Sequence, residues 1–133
     1  MIVDFPIRVY YEDTDAGGVV YHARYLHFFE RARTEYLRKL GFSQQNLLAD
    51  CLAFVVKKME IDYKIPARLD DLLRVQTKIS ELKGAKIVFY QQLWRDDNLL
   101  SEALVTVASV DLTKMKPVAI PANIKQAFQQ TTI

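Results

Sequence analysis

One amphipathic helix, followed by a change of hydrophobic period from 3.6 to 2, constrains this chain more than any other feature. From His22 to Leu40, residues Tyr25, Leu26, Phe29, Ala32, Tyr36, Leu37 and Leu40 fall on one side at helical spacing. Arg24, His27, Arg31, Thr34 and Arg38 fall on the other. Gly41 is a natural C-terminal stop, with Arg38 and Lys39 suited to the negative end of the helix. Ser43 is the N-cap of a second, short helix. After Cys51 the pattern alternates: Met59, Ile61, Tyr63 and Ile65 take one face, and Leu73, Val75, Thr77 and Ile79 repeat it. Lys83-Gly84 turns the chain into a strand over 86–95, and Asp96-Asp97-Asn98 turns it into another over 102–112. A first strand over 7–12 follows Pro6, and a terminal helix covers Ile124 to Phe128. Strands joined by short turns are antiparallel neighbours. An apolar helix face laid on such a sheet buries both apolar surfaces, which predicts an α+β fold with five antiparallel strands.

Composition bounds the rest. At 133 residues the chain is expected to form one domain over 1–133. A net charge of +2 is too weak to argue for a nucleic-acid partner. Cys51 is the single cysteine, so no intrachain disulfide forms, and it reads as a small buried hydrophobe. The longest strictly apolar run, Cys51 to Val56, is six residues, far below a membrane span of about 20. The N-terminus shows no signal-peptide pattern, and a cytoplasmic protein is expected.

The segment from Tyr11 to Tyr25 concentrates the chemistry. It sets Asp13, Asp15, Gly17 and Gly18 in a loop that ends at a helix start. A helix N-terminus presents unpaired N–H groups and about half a unit of positive charge, which suits a developing oxyanion. Glycines let a substrate approach the backbone, and a facing carboxylate can attack a carbonyl or activate water. Spacing alone is equally satisfied if the aspartates merely shape a turn. A calcium loop starting at Asp13 fails because its fifth and twelfth positions are Gly17 and Arg24. A phosphate-binding loop lacks its Gly-Lys-Ser/Thr ending, and one Cys with two His cannot build a zinc cluster. On the helix, Glu30 is expected to pair with a neighbouring Arg, and His27 to be solvated. Arg33 projects into the apolar stripe, so it must meet a carboxylate or backbone carbonyl.

The stretch Tyr11-Glu12-Asp13-Thr14-Asp15-Ala16-Gly17-Gly18-Val19-Val20-Tyr21-His22 resembles the hotdog-fold thioesterases of the 4-hydroxybenzoyl-CoA thioesterase type. Glu30-Arg31-Ala32-Arg33, Ala53-Phe54-Val55-Val56, Pro66-Ala67-Arg68-Leu69-Asp70-Asp71 and Lys114-Met115-Lys116-Pro117 are similar to the acyl-CoA thioesterases associated with the bacterial Tol–Pal system. The resemblance implies a hotdog, a sheet wrapped around the long helix, and hydrolysis of acyl-CoA of short chain length. It implies Asp15 as the catalytic carboxylate and His22 as the start of the oxyanion site, its side chain assisting. Gly17, Gly18, Val19 and Tyr21 would line the substrate. No metal or redox cofactor follows. The implied partners are acyl-CoA or an acyl carrier protein, with neither nucleic acid nor membrane insertion. Dimers paired into homotetramers, with sites at subunit interfaces, complete the expectation. Lys57, Lys58, Lys64, Arg68, Lys83, Lys86, Lys114 and Lys116 are the candidates for CoA phosphates. Two rivals stay open: a hydratase or dehydratase using His22 with Glu30, and a non-catalytic acyl-CoA or carrier-protein binder.

Overall fold

Helix α1 runs from Arg24 to Lys39 without an internal Gly or Pro, and its end is built as the sequence predicts. Gly41, at φ +94°, donates its N–H to the Arg38 carbonyl, and Phe42 donates to Leu37, so two carbonyls of the last turn are satisfied. The computed structural model describes residues 2–131. In chain order the elements are β1 (Val3–Arg8), a 3-10 turn (Tyr11–Asp13), α1, α2 (Gln44–Ala49), β2 (Leu52–Tyr63), β3 (Leu72–Lys83), β4 (Lys86–Arg95), β5 (Asn98–Asp111), β6 (Lys116–Pro117) and α3 (Ala122–Thr131). The five long strands pair antiparallel in the order β1-β3-β4-β5-β2, and the two-residue β6 adds a sixth beside β5. This is the hotdog arrangement that the resemblance implies. Among the described residues no helix is long and apolar enough to cross a membrane.

The tight turns hold as expected. Lys83 pairs with Lys86 across Gly84-Ala85, with Gly84 at φ +61°, and Arg95 pairs with Asn98 across Asp96-Asp97. Alternation places Ile87, Phe89 and Leu93 of β4, and Ala103, Val105 and Val107 of β5, against α1 in the core. Ser43 caps α2 by accepting the Asn46 N–H at 3.1 Å.

Four local expectations are corrected. The first strand lies at Val3–Arg8 rather than 7–12: β1 is an edge, so Pro6 needs no ladder donor. The chain then turns at Tyr11–Asp13 because the buried Asp13 carboxylate accepts the Tyr10 N–H at 2.9 Å. Helix α1 starts at Arg24 rather than His22. Its sheet-facing arc is centred on Tyr25, Phe28, Phe29, Ala32 and Tyr36, all buried, while Leu26 is 41% exposed. Cys51 is exposed, at φ +57°, where the chain passes from α2 into β2.

The buried polar link between helix and sheet also differs from expectation. Arg33 is buried, but its Nη1 donates to the side-chain oxygen of Gln91 at 2.9 Å rather than to a carboxylate or backbone carbonyl. The Gln91 amide donates in turn to the Phe29 carbonyl at 2.9 Å and the Thr77 hydroxyl at 3.0 Å. Burial lowers the Arg33 pKa to about 10, with Glu30 pulling it back up. Glu30 itself is exposed and in no ion pair among the described residues. Removing the acceptor strands a buried cation, which costs more than removing the cation. Gln91→Leu should therefore lose about 3 kcal/mol of stability, roughly 10 °C in melting temperature. Arg33→Met, which keeps the apolar stem volume, should lose less. Thermal unfolding of both variants checks the order, which would be reversed if Gln91 did not hold the guanidinium.

Candidate functional site

The site is a loop fastened at both ends and along its length. Its entry is the 3-10 turn, where the Thr14 hydroxyl donates to the Tyr11 carbonyl at 2.7 Å. Its exit is α1. Between them Asp15 donates its N–H to the Val19 carbonyl at 2.9 Å, and Gly18 donates to the Asp15 carbonyl at 3.1 Å. Tyr21 donates to the Asp13 carbonyl at 2.9 Å, which draws the two limbs together. A second set of contacts pins the loop to the segment before β3: Val20 donates to the Ala67 carbonyl at 2.8 Å, and Val19 bridges Arg68. The Ala67 N–H is taken by the hydroxyl oxygen of Tyr25 at 3.1 Å.

The two aspartates have different surroundings. Asp13 is buried, and Arg24 Nε lies 3.3 Å from its carboxylate. Arg24 also reaches the Glu12 carbonyl at 3.3 Å. A cation in the first turn opposes the helix dipole, and these acceptors offset it. Asp13 thus shapes the loop. Asp15 is exposed, and one carboxylate oxygen accepts the Gly17 N–H at 2.8 Å. Its other oxygen takes no hydrogen bond among the described residues. A Cβ on Gly17 would stand 3.3 Å from that carboxylate, so the glycine leaves Asp15 its room. Gly18 sits at φ +80°, a conformation in which any side chain is strained.

His22 and Tyr21 stand just ahead of α1, both exposed, with rings 4.5 Å apart. The amide N–H groups of His22 and Ala23 find no acceptor among the described residues, as befits a helix start. Val19 is half-buried. The loop therefore carries an accessible carboxylate and two glycines and runs into N–H donors that are unpaired among the described residues. It does not bring His22 to Glu30, since no hydrogen bond or ion pair joins them among the described residues.

One residue of this region escaped the sequence. The Tyr63 hydroxyl, at the end of β2, donates to the His22 carbonyl at 2.9 Å, and its ring meets Tyr25 edge-on at 5.0 Å. In the sequence Tyr63 is one more large residue in an alternating strand, and nothing local marks it.

Comparison with known proteins agrees with this architecture. A family model described as the thioesterase-like superfamily matches residues 9–128. The chain is 68% identical over 125 residues to the acyl-CoA thioesterase YbgC of Haemophilus influenzae, covering 93% of this chain and 92% of that protein. It is 57% identical to the acyl-CoA thioester hydrolase YbgC of an Escherichia coli strain, covering 95% of each. A probable thioesterase from Bartonella henselae has a solved structure that superposes with a TM-score of 0.85 at 44% identity, covering 91% of this chain and 100% of that one. The order of elements, the loop ahead of α1 and these matches lead to one conclusion: the chain belongs to the thioesterase-like superfamily.

Proposed function

We propose that this protein hydrolyses acyl-CoA thioesters, with Asp15 as the reacting carboxylate. The observation that carries the reading is the Asp15 side chain itself. Among the described residues one oxygen is held by Gly17 while the other takes no hydrogen bond, on a loop that runs into unpaired N–H groups at His22 and Ala23. A thioester carbonyl against those N–H groups would have its developing negative charge stabilised by them and by the helix dipole. The free Asp15 oxygen then either bonds to the carbonyl carbon, expelling the CoA thiolate and leaving a mixed anhydride for water to open, or removes a proton from the attacking water. A thiolate leaves readily, so neither a strong acid nor a metal is called for. Gly17, Gly18, Val19 and Tyr21 are the proposed lining for the acyl group and pantetheine arm, and His22 assists.

The grouping of four lysines supports one subset of the basic candidates. Lys57, Lys58, Lys83 and Lys86 surround one open cleft of about 380 Å³, together with Thr106, Ala108 and Pro117. Lys58 and Lys86 each face a carboxylate, Glu60 at 2.9 Å and Glu81 at 3.1 Å. Lys57 and Lys83 have no ion pair among the described residues, which suits them to phosphate. The proposed substrate is a short-chain acyl-CoA, with acyl carrier protein as the second carrier to assay, and the proposed setting is the cytoplasm. A homotetramer built from dimers is proposed because β2 is an exposed edge strand bearing Val55 and Val56, and because Asp15 lies open in one chain. Light scattering that reports a 15.4 kDa monomer would overturn that assembly.

A thiol-reactive dye that reports CoA release across a series of chain lengths tests the activity. Asp15→Asn should lower kcat by at least about a hundredfold with little change in KM, because the N–H donors and phosphate contacts remain. Asp13→Asn should instead lower the melting temperature, since its carboxylate serves the turn and Arg24. Near-wild-type kcat for Asp15→Asn would overturn the assignment. Raising salt should raise KM more than it lowers kcat, since exposed charges are screened within about 8 Å at physiological strength. A KM unmoved by salt would remove the phosphate contacts.

A further inference from the structure

Tyr63 does more than fill space at the end of β2. Its hydroxyl donates to the His22 carbonyl at 2.9 Å. That carbonyl and the Ala23 N–H belong to one planar peptide unit and, in the trans form found here, point to opposite sides of it. Fixing the carbonyl therefore aims the N–H. A carbonyl that accepts a hydrogen bond also polarises its own peptide, which strengthens the N–H at the other end as a donor. The aiming group is itself braced. The Tyr63 ring stands edge-on to Tyr25 at 5.0 Å and to the His22 ring at 6.4 Å, and Tyr25 is buried. Partial burial, and then the neighbouring Tyr25, raise the Tyr63 pKa above its ordinary 10, so the hydroxyl stays a donor at neutral pH.

We propose that Tyr63 is a positioning residue, whose hydroxyl orients the 22–23 peptide so that the Ala23 N–H joins that of His22 on the thioester oxygen. The chemical half of this inference rests on the thioesterase reading, whereas the clamp on the peptide does not. Tyr63→Phe keeps the ring and its edge contacts and removes one oxygen. It should lower kcat about three- to tenfold, the range of one net hydrogen bond. KM should stay within about twofold, because the donors act on charge that develops in the transition state. The His22 carbonyl carbon resonance should move upfield in the same variant, with no substrate present. Tyr90→Phe is the comparison: it loses a hydroxyl bonded to Glu102 on the opposite face of the sheet and should leave kcat and the His22 resonance unchanged. An unmoved His22 resonance in Tyr63→Phe would overturn the clamp. A moved resonance with wild-type kcat would overturn the catalytic consequence. Absence of hydrolysis by the wild-type protein would overturn the thioesterase reading and the catalytic half together, and the resonance would still decide the clamp.

Discussion

The seam between α1 and the inner faces of β3, β4 and β5 is the contact on which the rest of the molecule leans. Phe28, Phe29, Ala32 and Tyr36 are 1% exposed or less there, in one buried cluster with Val75, Ile87, Leu93 and Val105. Burying one large apolar side chain contributes about 1.5–3 kcal/mol, and a whole fold is stable by only about 5–15 kcal/mol. The seam therefore decides where α1 lies. Because β1 is bonded to β3, it also decides the gap that residues 9–23 must bridge. A functional loop gains precision when both its ends sit on rigid elements. The loop holding Asp15 is anchored in that way, and Val9 and Val20 tie its two limbs to the core while Asp15 stays outside it.

Within that gap, charge is divided between two neighbouring carboxylates. Arg24 opens α1 with the wrong sign for the helix dipole, and the buried Asp13 compensates it. Removing that compensation would leave a cation unpaired beside the N–H groups on which an oxyanion is proposed to sit. Asp13 is thus committed to fold and field. Asp15 is in no ion pair among the described residues, and its single backbone donor orients it without neutralising it. A carboxylate proposed to attack a carbonyl needs that combination, since a salt bridge would hold its lone pairs and lower its nucleophilicity.

Much of this was legible in the sequence because the informative patterns were local. Helical spacing over Tyr25 to Leu40, alternation after Cys51, and the Lys83-Gly84 and Asp96-Asp97-Asn98 turns each depend on neighbours within one element. The misplacements came from tertiary terms. The strand expected over 7–12 moved to Val3–Arg8 because its place at the sheet edge, invisible locally, lets Pro6 lie inside it. Leu26 matched the apolar period but lies beyond the arc that the sheet covers, and Phe28 lies within it. Arg33 was correctly seen to need a partner, yet that partner is on β4, 58 residues on in the chain. Tyr63 was missed for the same reason: its role is a contact with His22 across 41 residues. The loop itself was visible through its aspartates and glycines. Its tether to Ala67 and Arg68 was not, because backbone hydrogen bonds carry no signature in side-chain identity.

The loop's own geometry restricts two of its positions. Gly17 is required by what a Cβ would meet, the Asp15 carboxylate at 3.3 Å, whereas Gly18 has open space around it and is required by its backbone at φ +80°. The two adjacent glycines thus answer different demands, one from the carboxylate and one from the turn. A turn this constrained has little conformational entropy left to lose when a substrate arrives. Its order comes from hydrogen bonds of Val20 to Ala67, Tyr21 to Asp13 and Asp15 to Val19, together with the buried Val20 side chain. Asp15, Gly17 and Gly18 are consequently left at the surface, and an exposed site can be well ordered without being buried. Tyr63 extends the same logic from the loop to the helix start, bonding a peptide unit that no hydrogen bond of the loop or helix reaches among the described residues.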